Sequence, residues 1–220
     1  MIDLVIAGSI ALDTIRTPFG EKKDILGGSA VHAAVAASFF AKVGIVGVVG
    51  GDFPKTHIDF LTARGIDTSG IEIADGETFR WSGFYEYDMN QAHTLDTRLN
   101  VLGSFSPKVP NEYKKAPFLF LANVEPEAQL KVISDMSGAE IIAADTMNFW
   151  INNKRDALHK VLKKVDFFLL NESEAREFME TPNLVIAGKR IRELGAKATI
   201  IKKGEHGAML FSDSSFFVAP

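Results

Sequence analysis

The order of segments along the chain predicts an α/β fold, with a mostly parallel central sheet, helices on both of its faces and a small antiparallel sheet set into it. Three observations carry this. Short aliphatic runs alternate with helix-length segments in both halves of the chain. Residues 71–102 break that rhythm with short alternating segments. Polar side chains follow strand after strand at the same end, which is where open α/β sheets hold their ligands. The 220 residues, 46% of them hydrophobic, suit one domain spanning 1–220, with 71–102 as an insertion.

The first segment, Leu4 to Ala7, reads as a buried strand. The run Gly27-Gly28-Ser29-Ala30-Val31-His32 opens a helix over Gly28–Ala41 that carries no formal charge before Lys42. Such a helix is expected to be buried nearly all round. Its glycine entry leaves backbone N–H groups open to a hydroxylated or anionic ligand; a tight turn before a core helix explains the glycines equally well. Val43 to Val49 is β-branched and bounded by Gly50-Gly51-Asp52, hence a second buried strand. Pro54 to Arg64 is a helix with Pro at its start and Gly65 past its end.

In 71–102 the segments are Ile71–Ile73, Thr78–Tyr87 and Leu95–Leu102, with Asp75-Gly76 as a hairpin signal between the first two. Its aromatics are too many for so small a piece to bury. They should pack on the body, on a second copy or over a ligand. The α/β rhythm then returns. Strands are expected at Phe118–Leu121, Ile141–Asp145, Phe167–Leu170 and Thr199–Lys202, and helices at Pro126–Met136, Asn153–Lys164, Glu172–Met179 and Leu184–Leu194. Gly207–Phe211 and Phe216–Val218 read as a closing hairpin. An apolar strand ending at Pro220 without a covering helix predicts either a fragment or an exposed sheet edge.

Composition narrows the function. The net charge of −4 and the lack of a basic stripe argue against nucleic acid as a partner. With no cysteine there are no disulfides or thiolate metal sites, and the five histidines match no metal-ligand spacing. The N-terminus lacks a basic leader and no apolar run reaches membrane-spanning length, so a cytoplasmic location is expected.

The residues after the strands are the candidates for chemistry: Asp13, then Asn123 and Glu125, Asp145 and Asn148, Asn171 and Glu174, and Lys203-Gly204-Glu205-His206-Gly207. Each has a plainer use. Asn171 with Glu174 makes a helix capping pair, Asp13 can brace a turn, Asp145 can cap a helix, and Lys203-Gly204 can be an ordinary turn. Gly44, Gly47 and Gly50 lie inside a strand at the wrong spacing for a dinucleotide fingerprint, and Gly188-Lys189 lacks the rest of a phosphate-binding loop. A nicotinamide-dependent oxidoreductase therefore ranks last.

Taken in order, these segments resemble the ribokinase (PfkB) family of carbohydrate and nucleoside kinases from residue 3 to residue 218. Gly8-Ser9-Ile10 through Asp13 is similar to that family's first strand and sugar-binding Asp. Gly27, Gly28, Ser29 and His32 resemble its substrate-hydroxyl segment, and Glu125 falls where members place a substrate contact. Residues 71–102 resemble its β-lid, on which Arg80 and Trp81 would close over the substrate or pack between two copies. Asn171-Glu172-Ser173-Glu174 resembles its N-x-x-E motif, and Lys202 to Ala208 its nucleotide-binding turn. The resemblance implies transfer of the ATP γ-phosphate to a hydroxymethyl group of a sugar or nucleoside. Asp13, Gly27, Gly28, Ser29, His32, Arg80 and Glu125 would then bind substrate, Asn171, Lys202, Gly204 and Gly207 would bind nucleotide, and Glu174 would act on Mg²⁺. A homodimer through the lid is a further expectation. His32 stands where the family usually has Asn, and Lys202 where Thr is common. The family's G-A-G-D segment, with the Asp that accepts the hydroxyl proton, does not occur in these residues. The catalytic residue is therefore expected beyond Pro220 and the 220-residue chain is expected to be inactive by itself, the alternative being a non-catalytic binding protein of the same fold.

Overall fold

A computed structural model describes residues 1–213 and 215–220. In chain order the elements are β1 (Leu4–Ala7), β2 (Ala11–Thr17), β3 (Gly20–Gly27), α1 (Ser29–Ala37), β4 (Val43–Gly50), α2 (Lys55–Thr62), β5 (Asp67–Ala74), β6 (Arg80–Tyr85) and β7 (Ala92–Arg98). There follow β8 (Phe118–Leu121), α3 (Pro126–Asp135), β9 (Ile141–Asp145), α4 (Asn148–Asn153), α5 (Arg155–Leu162), β10 (Phe167–Asn171), α6 (Glu172–Met179), α7 (Leu184–Glu193), β11 (Ala198–Lys202), β12 (Ala208–Phe211) and β13 (Phe216–Ala219).

Nine strands form the main sheet in the order β13-β12-β11-β10-β9-β8-β1-β4-β5. The pairs from β5 across to β11 are parallel, and β12 and β13 close that edge as an antiparallel hairpin. From β1 the chain steps first to β4 and β5 on one side, and later to β8 and beyond on the other. That reversal opens a crevice past the carboxyl end of β1, the usual ligand position in such sheets.

β4 shows how the sheet is packed beside the crevice. All eight of its residues are buried, and each of its five Val and Ile side chains contributes about 1.5–3 kcal/mol of apolar burial. Its glycines make room for neighbours. A Cβ on Gly44 would lie 2.6 Å from the Tyr113 ring, and one on Gly47 2.7 Å from Ile10. The Gly44/Gly47/Gly50 spacing is thus a packing pattern.

The small sheet has a different membership from the one its sequence suggests. Its order is β3-β2-β6-β7, with antiparallel β2–β3 and β6–β7 pairs joined by a parallel β2–β6 pair. Ile71–Ile73 belongs to β5, in the main sheet, and Asp75-Gly76 is a crossing between sheets. The Gly76 carbonyl accepts from Gly51 N–H at 3.1 Å, which uses up the bond a hairpin partner would have made. β2 and β3 were not foreseen; β3 runs through charged and exposed sequence in Gly20–Asp24.

Helix α1 is shorter than expected and is not buried all round. Ala30, Val31 and Ala34 face the core, while His32 and Ala36 are exposed, as are Phe39 and Phe40 beyond its end. The reason is uneven cover of the sheet. On one face α3, α5, α6 and α7 pack over β8 to β12. On the other, α1 and α2 lie against β1, β4 and β5. An apolar trough is left beside α1, floored by Leu4, Phe120, Phe167, Leu169 and Ile200. One helix expected at Asn153–Lys164 is instead α4 and α5, broken at Lys154, whose φ of −136° departs from helical geometry.

Candidate active site

A cavity of about 570 Å³ lies over the β1 crevice. α1 supplies one wall, the lid sheet a second, and α4 with the end of β8 a third. Asp13, Gly28, Ser29 and His32 all line it.

Asp13 is the buried charge of this cavity. It projects from β2, is only 9% exposed, and its Oδ1 has no partner. Burial pushes its carboxyl up to about 6, against a stabilising hydrogen bond from the Gly28 N–H. A buried carboxylate oxygen without a partner, on a residue that lines a cavity, is an acceptor in want of a hydroxyl. Gly27 serves Asp13 from outside the lining: a Cβ there would sit 1.9 Å from Asp13 Oδ2. At Gly28 a Cβ would fall 2.4 Å from the Ser9 carbonyl, and φ is +96°, so the residue must be glycine.

Ser29 and Ser9 fix the start of α1. The Ser29 hydroxyl donates to the Asn123 carbonyl at 3.0 Å, and Ser29 N–H donates to Ser9 Oγ at 3.1 Å. The 2.9 Å contact between the two hydroxyls is then donated by Ser9, since the Ser29 proton is already committed. Ser29 therefore positions the helix as well as lining the cavity. His32, one turn on, is exposed and in the lining.

Two expected substrate residues are placed otherwise. Arg80 does not line the cavity. It pairs with Asp52 at 2.8 Å and with Asp24. Burial raises Asp52, but hydrogen bonds from Thr78 and Arg80 outweigh that and hold it below the usual carboxylate range. Arg80 is thus a clasp between the lid and the β4 loop. Glu125 ends β8's loop as the residue before α3 and turns to Lys154 Nζ at 2.8 Å, outside the lining. Both acids and bases here satisfy each other before any ligand arrives. Trp81 does face the cavity. Its Nε1–H donates to Thr94 Oγ1 at 3.1 Å, and Gly83 leaves space for its ring, since a Cβ there would lie 2.2 Å from it.

The sequence signal missed most of the α4 wall. Met147, Phe149, Trp150, Asn152 and Asn153 line the cavity. Trp150 Nε1–H donates to Asn123 Oδ1 at 2.8 Å, and Asn123 Nδ2 donates to Met147 Sδ at 3.0 Å. Asn123 and Asn148 were legible as polar residues after strands. The aromatics were not, because in a six-residue segment an aromatic reads as core.

A second cluster lies further along the same rim, at the ends of β9, β10 and β11. Lys202 Nζ is 3.2 and 3.3 Å from the two Asp145 oxygens. Asn171 and Glu174 form a full capping box: Asn171 Oδ1 accepts from Glu174 N–H at 2.8 Å, and Glu174 Oε2 from Asn171 N–H at 2.7 Å. Burial, then the nearby Asp145 charge, push Glu174 up to about 7 against that N–H bond. Burial likewise raises Asp145, with Lys202 opposing. Two half-buried carboxyls thus lie near one ammonium, and both hold their protons to higher pH than a free acid does. Gly204 (φ +57°) and Gly207 (φ +78°) shape the turn after β11; a Cβ on Gly204 would meet Asn90 Oδ1 from the lid tip at 1.9 Å. None of Asn171, Glu174, Lys202, Gly204 or Gly207 lines the Asp13 cavity. The bridge between the two clusters is Gln129, whose Nε2 donates to the carbonyls of Ala122 (3.2 Å) and Asp145 (3.0 Å).

A family model described as pfkB family carbohydrate kinase matches residues 1–220. The chain belongs to the pfkB family. Among curated relatives, a cytidine kinase of Thermococcus kodakarensis is 29% identical over 219 residues, which covers 98% of this chain and 78% of that one. Among solved structures, the Methanocaldococcus jannaschii nucleoside kinase of the ribokinase family is 18% identical with a TM-score of 0.76, covering 100% of this chain and 76% of that chain. A putative ribokinase II from E. coli in complex with ATP and Mg²⁺ is 21% identical with a TM-score of 0.76, covering 100% and 78%. The ribokinase-like resemblance read from the sequence is thus borne out. The pfkB membership and these relatives support a carbohydrate or nucleoside kinase. Among the described residues no helix is long and apolar enough to cross a membrane.

Proposed function

We propose that this pfkB chain binds a nucleoside or sugar in the Asp13 cavity and, with ATP at the β9–β11 rim, phosphorylates a hydroxymethyl group of that substrate. The observation that carries the reading is the Asp13 carboxylate, buried with one oxygen unpartnered in a cavity lined by aromatics. That combination suits a ring bearing hydroxyls. The cytidine kinase and nucleoside kinase among the similar proteins favour a nucleoside.

Asp13 would accept a substrate hydroxyl hydrogen bond, Gly28 and the Ser9–Ser29 pair would hold the wall beside it, and the lid would exclude water. Lys202 and the turn from Gly204 to Gly207 would face the donor phosphates, and Asn171 would hold the start of α6. Asp145 and Glu174, once deprotonated, would supply carboxylate oxygens to a divalent cation. Mg²⁺ is commonly held by one or two carboxylates together with phosphates. When bound, Mg²⁺ neutralises phosphate charge during transfer. Phe19 and Tyr87, both exposed and in edge contact at 6.0 Å on the lid, support a homodimer through that sheet.

Thermal-shift titration of the 220-residue chain with nucleosides, sugars and Mg·ATP tests the reading. A ligand at a hundred times its Kd adds about 2.7 kcal/mol, or roughly 5–10 °C for a chain of this size. A flat response to every sugar, nucleoside and nucleotide would remove the proposal.

A further inference from the structure

The inference here rests on the kinase reading and sharpens its acceptor: we infer that the α4 wall selects nucleosides whose base carries an exocyclic amino group over their keto counterparts, and that Asn152 is the residue that selects.

The reasoning begins with which groups on that wall are still free. The Trp150 indole N–H is spent on Asn123 Oδ1, and the Asn123 amide N–H on Met147 Sδ. Asn153 Nδ2 donates to the Phe149 carbonyl at 2.8 Å. Asn152 Nδ2 donates to Glu177 Oε1, from α6, at 2.8 Å. A carboxylate and a carbonyl only accept hydrogen bonds, so both amides are oriented by their partners. Asn152 and Asn153 each keep an amide oxygen and one further N–H, and both residues line the cavity; the Asn152 nitrogen is anchored to Glu177, which lies outside the lining, so the oxygen is the end of the amide left to a ligand. Phe149, 46% exposed, stands on the same helix and meets Trp150 edge-on at 4.8 Å, which leaves its ring available to a planar ligand.

A single sugar ring is too small to reach Asp13 and the α4 wall together in a cavity of about 570 Å³. A nucleoside uses both ends of the cavity, the ribose hydroxyls at Asp13 and the base at α4. An amide oxygen held in place attracts an N–H donor and repels a carbonyl oxygen. Cytosine and adenine present an amino group where uracil and hypoxanthine present a carbonyl. Glu177, which touches Asn152 and not the cavity lining, is a positioning residue: it keeps the amide from turning its NH₂ inward.

Isothermal titration of the whole chain with cytidine, uridine, adenosine and inosine tests this. The amino member of each pair should bind about tenfold more tightly or better, the scale of one buried polar mismatch. Asn152→Leu should bring each ratio within about threefold. Glu177→Gln should do so too, because its side-chain amide lets Asn152 turn over, a change of selectivity that a merely structural role would not produce. Both positions are exposed, and circular dichroism melting verifies that the variants are folded. Nucleosides that bind with equal affinity in each pair, or ratios that persist in both variants, overturn the inference and leave the kinase reading standing. Binding of no nucleoside and no sugar overturns both.

Discussion

Replacing Asp13 by Asn should make the protein more stable at pH 8 and less able to bind its acceptor. The folded chain holds this carboxyl at about 6 against an ordinary 3.8, so at high pH the native state carries a charge-burial cost on the order of 3 kcal/mol. The sign follows from proton counts. Between about pH 4 and pH 6 the native state binds the proton that the unfolded chain has released, so unfolding free energy falls as pH rises through that window. Above it the full cost is present; below pH 4 both states are protonated and the cost is gone. An Asn side chain escapes the charge cost but brings an amide donor that needs a partner, at about 1 kcal/mol. The net gain expected at pH 8 is about 2 kcal/mol, or roughly 4–8 °C in Tm, shrinking to nothing or slightly reversing at pH 4. Differential scanning calorimetry at pH 4, 6 and 8 measures it, and titration with nucleosides should show affinity falling at least tenfold. A variant less stable than the parent at pH 8, or a difference independent of pH, would refute the account of Asp13 as an uncompensated buried carboxylate.

Gly27→Ala places a methyl group on Asp13, 1.9 Å from Oδ2 and 2.3 Å from Cγ. Acceptor affinity should drop by roughly tenfold or more while Tm falls by only a few degrees, since a side chain and not a backbone must give way; calorimetric titration and melting separate the two. Arg80→Ala removes the clasp to Asp52 and Asp24 and should cost about 1–2 kcal/mol, with limited proteolysis appearing first between β6 and β7; unchanged cleavage would show that the lid is held elsewhere. Lys202→Met leaves Asp145 without its counter-charge. Its carboxyl should rise further, so the variant should lose about 1–2 kcal/mol at pH 8 and less at pH 5, and Mg·ATP affinity should fall. Equal melting of parent and variant at both pH values would count against the Asp145–Lys202 pair.

The parallel sheet was legible because its strands are buried on both sides over most of their length, and such strands read as unbroken apolar runs. β4 is the clearest case. What escaped was what lies in solvent or is too short to show a period. β3 passes through Gly20-Glu21-Lys22-Lys23-Asp24, where charge masks a strand. Asp75-Gly76 gave a true turn signal, but nothing local says whether a turn leads back to the same sheet or across to another. Helix α4 has six residues, under two turns, so Phe149 and Trp150 could not be told from core. At the site, Asp13, Gly28, Ser29 and His32 were found because their order and spacing are informative. Glu125 was assigned to substrate by the family resemblance and Arg80 by its place on the lid; local sequence does not reveal that Lys154 pairs with the one and Asp52 with the other.

Helix α1 joins two surfaces that are otherwise separate. Its first turn, with Ser29 and His32, forms part of the ligand wall, while Ala33, Ala36 and Ala37, together with Phe40 just beyond it, border the bare apolar trough. Nine residues make a rod of only about 13 Å, and its Ser9 and Asn123 bonds tie one end to the crevice. Anything that settles on the trough leans on the far end of that rod, and anything that binds Asp13 leans on the near end. The cavity and the trough therefore share one short cylinder as a common wall.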